Sequence, residues 1–133
     1  MKKPLVIAID GPSGSGKSST SRSLATMGGF DYLDTGALYR AATIALGSHS
    51  NLPSNEISEI LEQSKIDFSA EPKNPITRIN GKDVSQDIRT KSVTDSVSKI
   101  SAIPEVRKFL FQLQRSFIEN TSRGIVVEGR DIG

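Results

Sequence analysis

The sequence predicts an α/β fold, in which a parallel sheet flanked by helices carries a small α+β insert. Residues 5–9 form a short apolar run with β-branched members, typical of a strand buried on both faces of a parallel sheet. A glycine-rich loop and a helical segment follow this run directly. Two later apolar runs, residues 30–33 and 125–127, can supply neighbouring strands of the same sheet.

Two strand and helix pairs open the chain. The first helix is predicted over residues 18–27, with the pair Gly28-Gly29 ending it and two apolar residues facing the sheet, Leu24 and Ala25. The strand at 30–33 leads to a second helix over residues 37–46. The residues Asp34-Thr35-Gly36 lead into it, and Thr35 or Asp34 is its expected N-cap.

The middle of the chain has the pattern of a small antiparallel insert. Residues 47–55 are rich in Ser, Asn, Pro and Gly and predict a loop, after which a helix is expected with Ile57, Ile60 and Leu61 on its apolar face. Two short strands are predicted at 66–69 and 76–79. The pair Asn80-Gly81 after the second strand is typical of a tight hairpin turn.

The last third predicts two helices and a strand. Apolar residues at helical spacing cover 93–103 and 106–118, and Pro104 separates the two segments; the second segment carries Phe109, Leu110, Leu113 and Phe117 on one face. The strand at 125–127 ends in polar residues. We therefore divide the chain into three parts: the first part of the core (1–46), the insert (47–103), and a core helix with the third parallel strand (104–133).

Composition excludes several classes of protein. A net charge of +2 is too small for the broad positive field that duplex nucleic acid or an anionic membrane requires, so neither is an expected partner. The absence of cysteine excludes disulfides and thiolate metal sites, and the single histidine, His49, is expected in a solvated loop. Without a membrane-spanning run, a soluble cytoplasmic protein is expected.

The glycine-rich loop has the Walker A spacing. Glycines let successive backbone N–H groups turn towards a phosphate, and the following helix directs its positive end to the same point. Lys17 can reach the β- and γ-phosphates, and the Ser18 hydroxyl can bind Mg²⁺. The expected ATP-binding residues are Gly11, Pro12, Ser13, Gly14, Ser15, Gly16, Lys17, Ser18 and Ser19.

Glu128 is a candidate for the Mg²⁺ shell. It ends the strand at 125–127, where P-loop folds carry an acidic residue, usually aspartate. The alternative is an ordinary strand-end acid on the surface.

Two arginines indicate an anionic acceptor rather than a hydrolytic switch. Arg40 lies in a helix close behind the loop, which leaves little room for a switch segment, and Arg130 follows the third parallel strand. The planar guanidinium makes paired, charge-assisted bonds to phosphate oxygens. Considered without Arg130, Arg40 is interpreted equally well as a solvated charge on the surface of a helix.

The chain resembles the bacterial cytidylate kinases, from Val6 to its last residue. The motifs that carry the resemblance are IDGPSGSGKS (9–18), YLDTGALYR (32–40), NGKDVS (80–85) leading to IRT (88–90), and EGRDIG (128–133). The first motif is common to many P-loop proteins, and the others are more specific. The region between them resembles the enlarged monophosphate-binding insert of the family.

The resemblance implies transfer of the γ-phosphoryl group of Mg²⁺-bound ATP to CMP or dCMP. It places Lys17, Arg40 and Arg130 as catalytic residues and Thr35 and Tyr39 at the nucleotide sugar and phosphate. It places the base-reading residues at Ser98, Arg107 and Asp131. A carboxylate and a hydroxyl can accept from the cytosine amine, and a guanidinium can donate to N3 and O2. Without the family pattern, Ser98 and Arg107 would be taken as solvated helix residues.

The chain departs from the family pattern in its length. It ends at Gly133, where family members continue into a lid and further strands, so we expect phosphate binding and much of the CMP pocket but little or no kinase activity. A complete protein would be a monomer, whereas here Val126 and Val127 are expected near an unpaired sheet edge that favours self-association. Gly28 also stands where a leucine is usual.

Two rival functions stay open. One is a P-loop kinase for another small acceptor, and the other is a truncated nucleotide-binding module without catalysis.

Overall fold

A computed structural model describes residues 5–10, 17–47 and 51–129, apart from the side chains of Lys17 and Ser18. The elements in chain order are β1 (Val6–Asp10), α1 (Lys17–Gly28), β2 (Asp31–Asp34), α2 (Thr35–Leu46), α3 (Ser54–Ser64), β3 (Ile66–Ser69), β4 (Ile76–Ile79), β5 (Lys82–Asp83), a 3₁₀ turn (Asp87–Arg89), α4 (Lys91–Ser101), α5 (Pro104–Asn120) and β6 (Ile125–Gly129).

These residues divide into two compact units. The sheet unit is drawn from Met1–Gly36, Ser69–Pro75 and Gln114–Gly133, and the hairpin unit from Ala37–Phe68 and Ile76–Leu113. The division into 1–46, 47–103 and 104–133 follows expected functions, and it stays a prediction.

The sheet unit contains a three-stranded parallel sheet in the order β1-β6-β2. The predicted parallel α/β fold is therefore confirmed, but two details of the prediction are wrong. β6 pairs on both sides, so Val126 and Val127 are buried in the centre of the sheet, and an unpaired edge at these residues gives no reason for self-association. β1 is an edge strand among the described residues, so Leu5 and Val6 are 57% and 44% exposed rather than buried.

Helix α1 covers one face of this sheet. Ala25 is fully buried and packs with Tyr32 and Val126, against which Ile7, Ile9 and Phe30 also pack. The prediction that Ala25 faces the sheet is confirmed. The same prediction for Leu24 is wrong, since this side chain is 37% exposed and the buried stripe of α1 runs through Ser21 and Ala25.

Gly28, where the resemblance stated above leads us to expect a leucine, makes room for an aromatic ring. A Cβ atom at this position would lie 2.3 Å from Cε2 of Phe30. The ring of Phe30 therefore occupies the space that a side chain at residue 28 would need. This departure from the family pattern has a packing explanation within the chain.

Gly124, in the turn before β6, combines a positive φ with a crowded site. Its φ is +85°, and a Cβ atom would lie 3.1 Å from both the Leu5 carbonyl oxygen and Cδ1 of Phe30. We expect Gly124→Ala to lower the free energy of unfolding by about 2–3 kcal/mol, because backbone strain and crowding add. Urea denaturation followed by circular dichroism measures the effect.

The control for this prediction is Gly29→Ala in the same unit. Gly29 has a φ of +69° but nothing within 4 Å of the added methyl group, so only the strain of about 1 kcal/mol is expected. An equal decrease in the free energy of unfolding in both variants would show that crowding around Gly124 adds nothing to the effect of Gly124→Ala.

The outer edge of β2 is covered by residues 69–75. The Tyr32 amide donates to the Ala70 carbonyl at 2.9 Å, and Arg22 donates to the carbonyls of Pro72 and Lys73 at 2.9 and 3.2 Å. Next to this segment, Arg123 forms an ion pair with Asp31 at 2.6 Å. The first of these contacts satisfies the Tyr32 amide at the edge of the sheet, and the others hold the covering segment and the adjoining turn in place.

The hairpin unit contains the predicted tight turn. β4 and β5 are antiparallel with Ile79 opposite Lys82, and the two turn residues have φ of 51° (Asn80) and 79° (Gly81). Positive φ at both central residues is the geometry for which Asn-Gly is preferred, so the prediction is confirmed. β3 completes this small sheet in the order β3-β4-β5.

The predicted helices are also confirmed, with apolar faces that form the core of the hairpin unit. α4 and α5 are separate helices, and α5 begins at Pro104. The buried apolar residues on the helices of this unit include Ile57, Leu61, Val93, Ile100, Val106 and Leu110. None of the helices in the described part of the chain is long and apolar enough to cross a bilayer.

Candidate active site

In the sheet unit, the site is built around the carboxyl ends of the parallel strands. Glu128 near the end of β6 lies opposite Ile9 of β1 and Asp34 of β2. Because side chains alternate along a strand, Glu128 lies on the same face as Val126, which packs with Ala25 of α1. The carboxylate is therefore on the side of the sheet covered by the helix that follows the glycine-rich loop.

Glu128 is held by two hydroxyl groups. The hydroxyl of Tyr32 donates to Oε1 of the carboxylate, and Oγ1 of Thr35 donates to the backbone carbonyl at 2.9 Å. Glu128 is fully buried, so the alternative of a strand-end acid on the surface is wrong. A buried carboxylate is costly unless it is hydrogen-bonded or paired with a cation, and Tyr32 supplies a bond of the required kind.

The donor atoms at this position suit a magnesium ion. Mg²⁺ prefers oxygen ligands and is usually held by one or two carboxylates together with substrate phosphates. Glu128 offers a carboxylate on the α1 side of the sheet, and Ser18 lies in the first turn of α1. No group of three or more metal-ligating His, Cys, Asp or Glu side chains occurs in the described ranges.

For the predicted phosphate-binding loop, the structure describes the strand before it and the helix after it. Strand β1 ends at Asp10 and helix α1 begins at Lys17, which is the strand and helix context that the Walker A motif requires. Ser19 is exposed. The other predicted loop residues, Gly11, Pro12, Ser13, Gly14, Ser15 and Gly16, lie outside the described residues, as do His49, Arg130 and Asp131.

Thr35 has a defined hydrogen-bonding role. It is 4% exposed, and its only hydroxyl proton is directed to the Glu128 carbonyl. In this arrangement the oxygen of Thr35 can accept a hydrogen bond from a ligand but has no proton left to donate. A ligand group that meets this hydroxyl should therefore be a donor.

In the hairpin unit, the site is built around Arg40. Its Nη1 donates to the Ile88 carbonyl at 3.1 Å and to Oγ1 of Thr94 at 2.9 Å. Arg40 is half-buried, so the alternative of a freely solvated helix charge is wrong. The bonds bring the middle of α2 against the 3₁₀ turn and α4, although these elements are distant in sequence.

The other predicted acceptor residues of this unit differ in how the structure places them. Ser98 lies one turn after Thr94, so both are on the side of α4 that contacts Arg40, and Ser98 is exposed. Tyr39 is half-buried beside Arg40, and Arg107 is exposed on α5. Ser98 and Arg107 are thus accessible to a ligand, but their accessibility does not distinguish a base-reading role from that of solvated helix residues.

Sequence reasoning missed two residues at these sites, Tyr32 and Thr94. Thr94 stands four residues before Ser98, and this helical spacing was the signal that could have placed it beside the predicted pocket. Tyr32 stands two residues before Asp34 on β2, which puts it on the same face as Glu128 once the strand pairing is known.

An open cavity of about 340 Å³ also lies in the hairpin unit. Its lining is mainly apolar and includes Ile44, Ile79, Val84 and Val93. None of the predicted ligand-binding residues described in this unit lines the cavity, although its lining includes Asp87 and Val93, the sequence neighbours of the Arg40 partners Ile88 and Thr94.

Comparison with known proteins gives consistent similarities. A family model described as cytidylate kinase matches residues 7–133. The chain is 46% identical over 132 residues to a cytidylate kinase of Streptomyces avermitilis, covering 97% of this chain and 57% of that protein. It is 47% identical over 133 residues to a cytidylate kinase of Nocardia farcinica (98% and 56%), and 43% identical over 136 residues to one of Ligilactobacillus salivarius (100% and 59%). The chain thus spans somewhat more than half the length of these relatives.

Proposed function

This chain belongs to the cytidylate kinase family, and we propose from this that it binds CMP or dCMP as acceptor and ATP as donor for phosphoryl transfer. The observation that carries the proposal is the arrangement of Arg40. Its guanidinium is held on one side by the Ile88 carbonyl and Thr94, and the exposed Ser98 lies one helical turn after Thr94. An anchored guanidinium next to neutral hydrogen-bonding groups suits an acceptor that joins a phosphate to a polar base.

On the acceptor side, each residue is proposed to recognise one part of the nucleotide. Arg40 and Arg130 bind the phosphate with charge-assisted bonds. Thr35 accepts from a sugar hydroxyl, since its own proton is directed to Glu128, and Tyr39 contacts the sugar and phosphate region. Cytosine is read by the remaining residues of the family pattern, Ser98, Arg107 and Asp131.

On the donor side, the loop amides and Lys17 bind the ATP phosphates, and Ser18 and Glu128 would hold Mg²⁺. The ion, when bound, neutralises charge on the phosphate oxygens. Glu128 suits this role because Tyr32 orients its carboxylate on the α1 side of the sheet.

The proposed mechanism is in-line transfer without a covalent enzyme intermediate. Lys17, Arg40 and Arg130 would hold the two nucleotides in line and stabilise the charge on the transferred group. No side chain has to act as a nucleophile. A cytoplasmic location and a monomeric state are part of the same proposal.

Calorimetric titration with CMP, UMP, AMP and ATP tests the proposal. We expect ATP binding, and CMP to bind at least about tenfold more tightly than UMP, because uracil presents a carbonyl where cytosine presents an amine. Comparable affinity for all three monophosphates would favour a kinase for another acceptor. ATP binding without monophosphate binding would favour the nucleotide-binding module. A coupled assay of ADP release in the presence of CMP then tests phosphoryl transfer itself.

A further inference from the structure

We propose that Thr94 is a positioning residue that fixes the guanidinium of Arg40 for a nucleoside monophosphate. This inference rests on the proposed function, because it concerns the phosphate-binding arginine of the acceptor site. Neither the sequence motifs nor the family comparison assigns a role to Thr94.

The observation behind the proposal is a two-point attachment of one nitrogen. Nη1 of Arg40 donates to the Ile88 carbonyl at 3.1 Å and to Oγ1 of Thr94 at 2.9 Å. The two acceptors belong to different elements, the 3₁₀ turn and α4. The backbones that carry these acceptors are held in place, since the Ile88 amide donates to the Val84 carbonyl at 3.0 Å and the Thr94 amide donates to the Thr90 carbonyl at 3.0 Å.

This attachment determines which edge of the guanidinium meets a ligand. The group is planar, and two bonds from one terminal nitrogen fix both the position and the orientation of the plane. Among the residues that the structure describes, Nε and Nη2 form the edge that remains for a phosphate, and this edge has the paired donors needed for a bidentate bond. Thr94 therefore acts on the phosphate through Arg40 without contacting it.

Anchoring also lowers the entropic cost of binding. A free arginine side chain loses much of its rotamer freedom when it is fixed. Because Nη1 is already held in the folded protein, Arg40 has lost part of its conformational entropy before the nucleotide binds, and less entropy is lost on binding. Removal of the Thr94 acceptor should weaken CMP binding even though Arg40 and its charge remain.

The two acceptors are unequal as targets for mutation. The Ile88 acceptor is a backbone carbonyl, and the Ile88 side chain is 2% exposed in the core. Thr94 is exposed, so its hydroxyl can be removed without leaving a cavity. Thr94→Val keeps the shape and β-branching of the side chain and removes only the hydrogen-bonding oxygen.

The test compares Thr94→Val with Thr94→Ser by calorimetric titration of CMP. We expect Thr94→Val to weaken CMP binding by about 3–10-fold, the value of one hydrogen bond to a charged group that is partly exposed. Thr94→Ser restores the hydroxyl and should bind CMP within about twofold of the wild type. Cytidine, which lacks the phosphate, should bind both variants as it binds the wild type. Equal CMP affinity of Thr94→Val and the wild type would overturn the inference.

A second measurement does not depend on nucleotide binding. In the ligand-free protein, ¹⁵N NMR of Arg40 should show slow rotation about Cζ–Nη1, which becomes faster in Thr94→Val, where only the bond to the Ile88 carbonyl remains, and returns to the wild-type rate in Thr94→Ser. Unchanged rotation in Thr94→Val would show that Thr94 does not hold the guanidinium. If the wild type shows no preference for CMP, the proposed function fails, and the NMR comparison still decides the role of Thr94 separately.

Discussion

Replacing Arg40 with alanine is expected to weaken CMP binding by about 100-fold. Paired hydrogen bonds from a guanidinium to a phosphate contribute about 3 kcal/mol, and each 1.4 kcal/mol is a factor of ten in affinity. The guanidinium is already held by Ile88 and Thr94, so its removal eliminates an oriented donor pair rather than a freely moving charge. Calorimetric titration of CMP measures the effect.

The matched control is Arg78→Ala in the same unit. Arg78 also carries a guanidinium, but it forms an ion pair with Asp67 at 3.0 Å in the hairpin unit. This variant removes the same charge and should keep CMP affinity within about twofold of the wild type, since exposed ion pairs contribute little. Similar losses in both variants would mean that net charge, rather than the position of Arg40, determines affinity. Urea denaturation of both variants checks that the fold is retained.

Glu128→Gln is expected to remove most of the effect of Mg²⁺ on ATP affinity, a loss of at least about tenfold. The amide has nearly the shape of the carboxylate and can still form a hydrogen bond with the Tyr32 hydroxyl, which can donate or accept. The amide of the glutamine lacks the negative charge that favours binding of a divalent cation. Titration of ATP with and without Mg²⁺ therefore isolates the contribution of the charge.

Tyr32→Phe provides the comparison for this prediction. It leaves the carboxylate of Glu128 in place and removes the hydroxyl that orients it. We expect this variant to retain a clear Mg²⁺ effect and to lose about 1–3 kcal/mol of stability, because a buried carboxylate loses a hydrogen bond. If Glu128→Gln shows the full Mg²⁺ effect, Glu128 has only a structural role in the core.

The parts of the fold predicted from the sequence are those set by local patterns. The Asn80-Gly81 turn and the helix break at Pro104 depend on the backbone preferences of one or two residues. The order of the sheet depends on pairing between distant segments, and there the prediction was wrong. Residues 125–127 are continuously apolar, which suits a central strand, whereas the sequence ending soon after them suggested an edge.

The candidate site shows the same division between local and distant information. The loop at 11–16 and the arginine at 40 were recognisable from motifs. The partners of Arg40 are 48 and 54 residues away in sequence, and Tyr32 is 96 residues from Glu128. No periodicity within a helix or strand reports such pairs. A buried position for Glu128 could not be predicted either, because an acid after an apolar run is usually solvated.

The hydrogen bond between the Tyr32 amide and the Ala70 carbonyl makes it possible to distinguish local detachment of residues 69–75 from unfolding of the parallel sheet. On its other side, β2 is bonded to β6 in the centre of the sheet, whereas Ala70 belongs to the segment at 69–75. Detachment of that segment would expose the Tyr32 amide to solvent deuterium while the ladder between β2 and β6 stays intact. Isotope exchange at this single amide therefore reports the local stability of residues 69–75, and exchange at the central strand reports unfolding of the sheet.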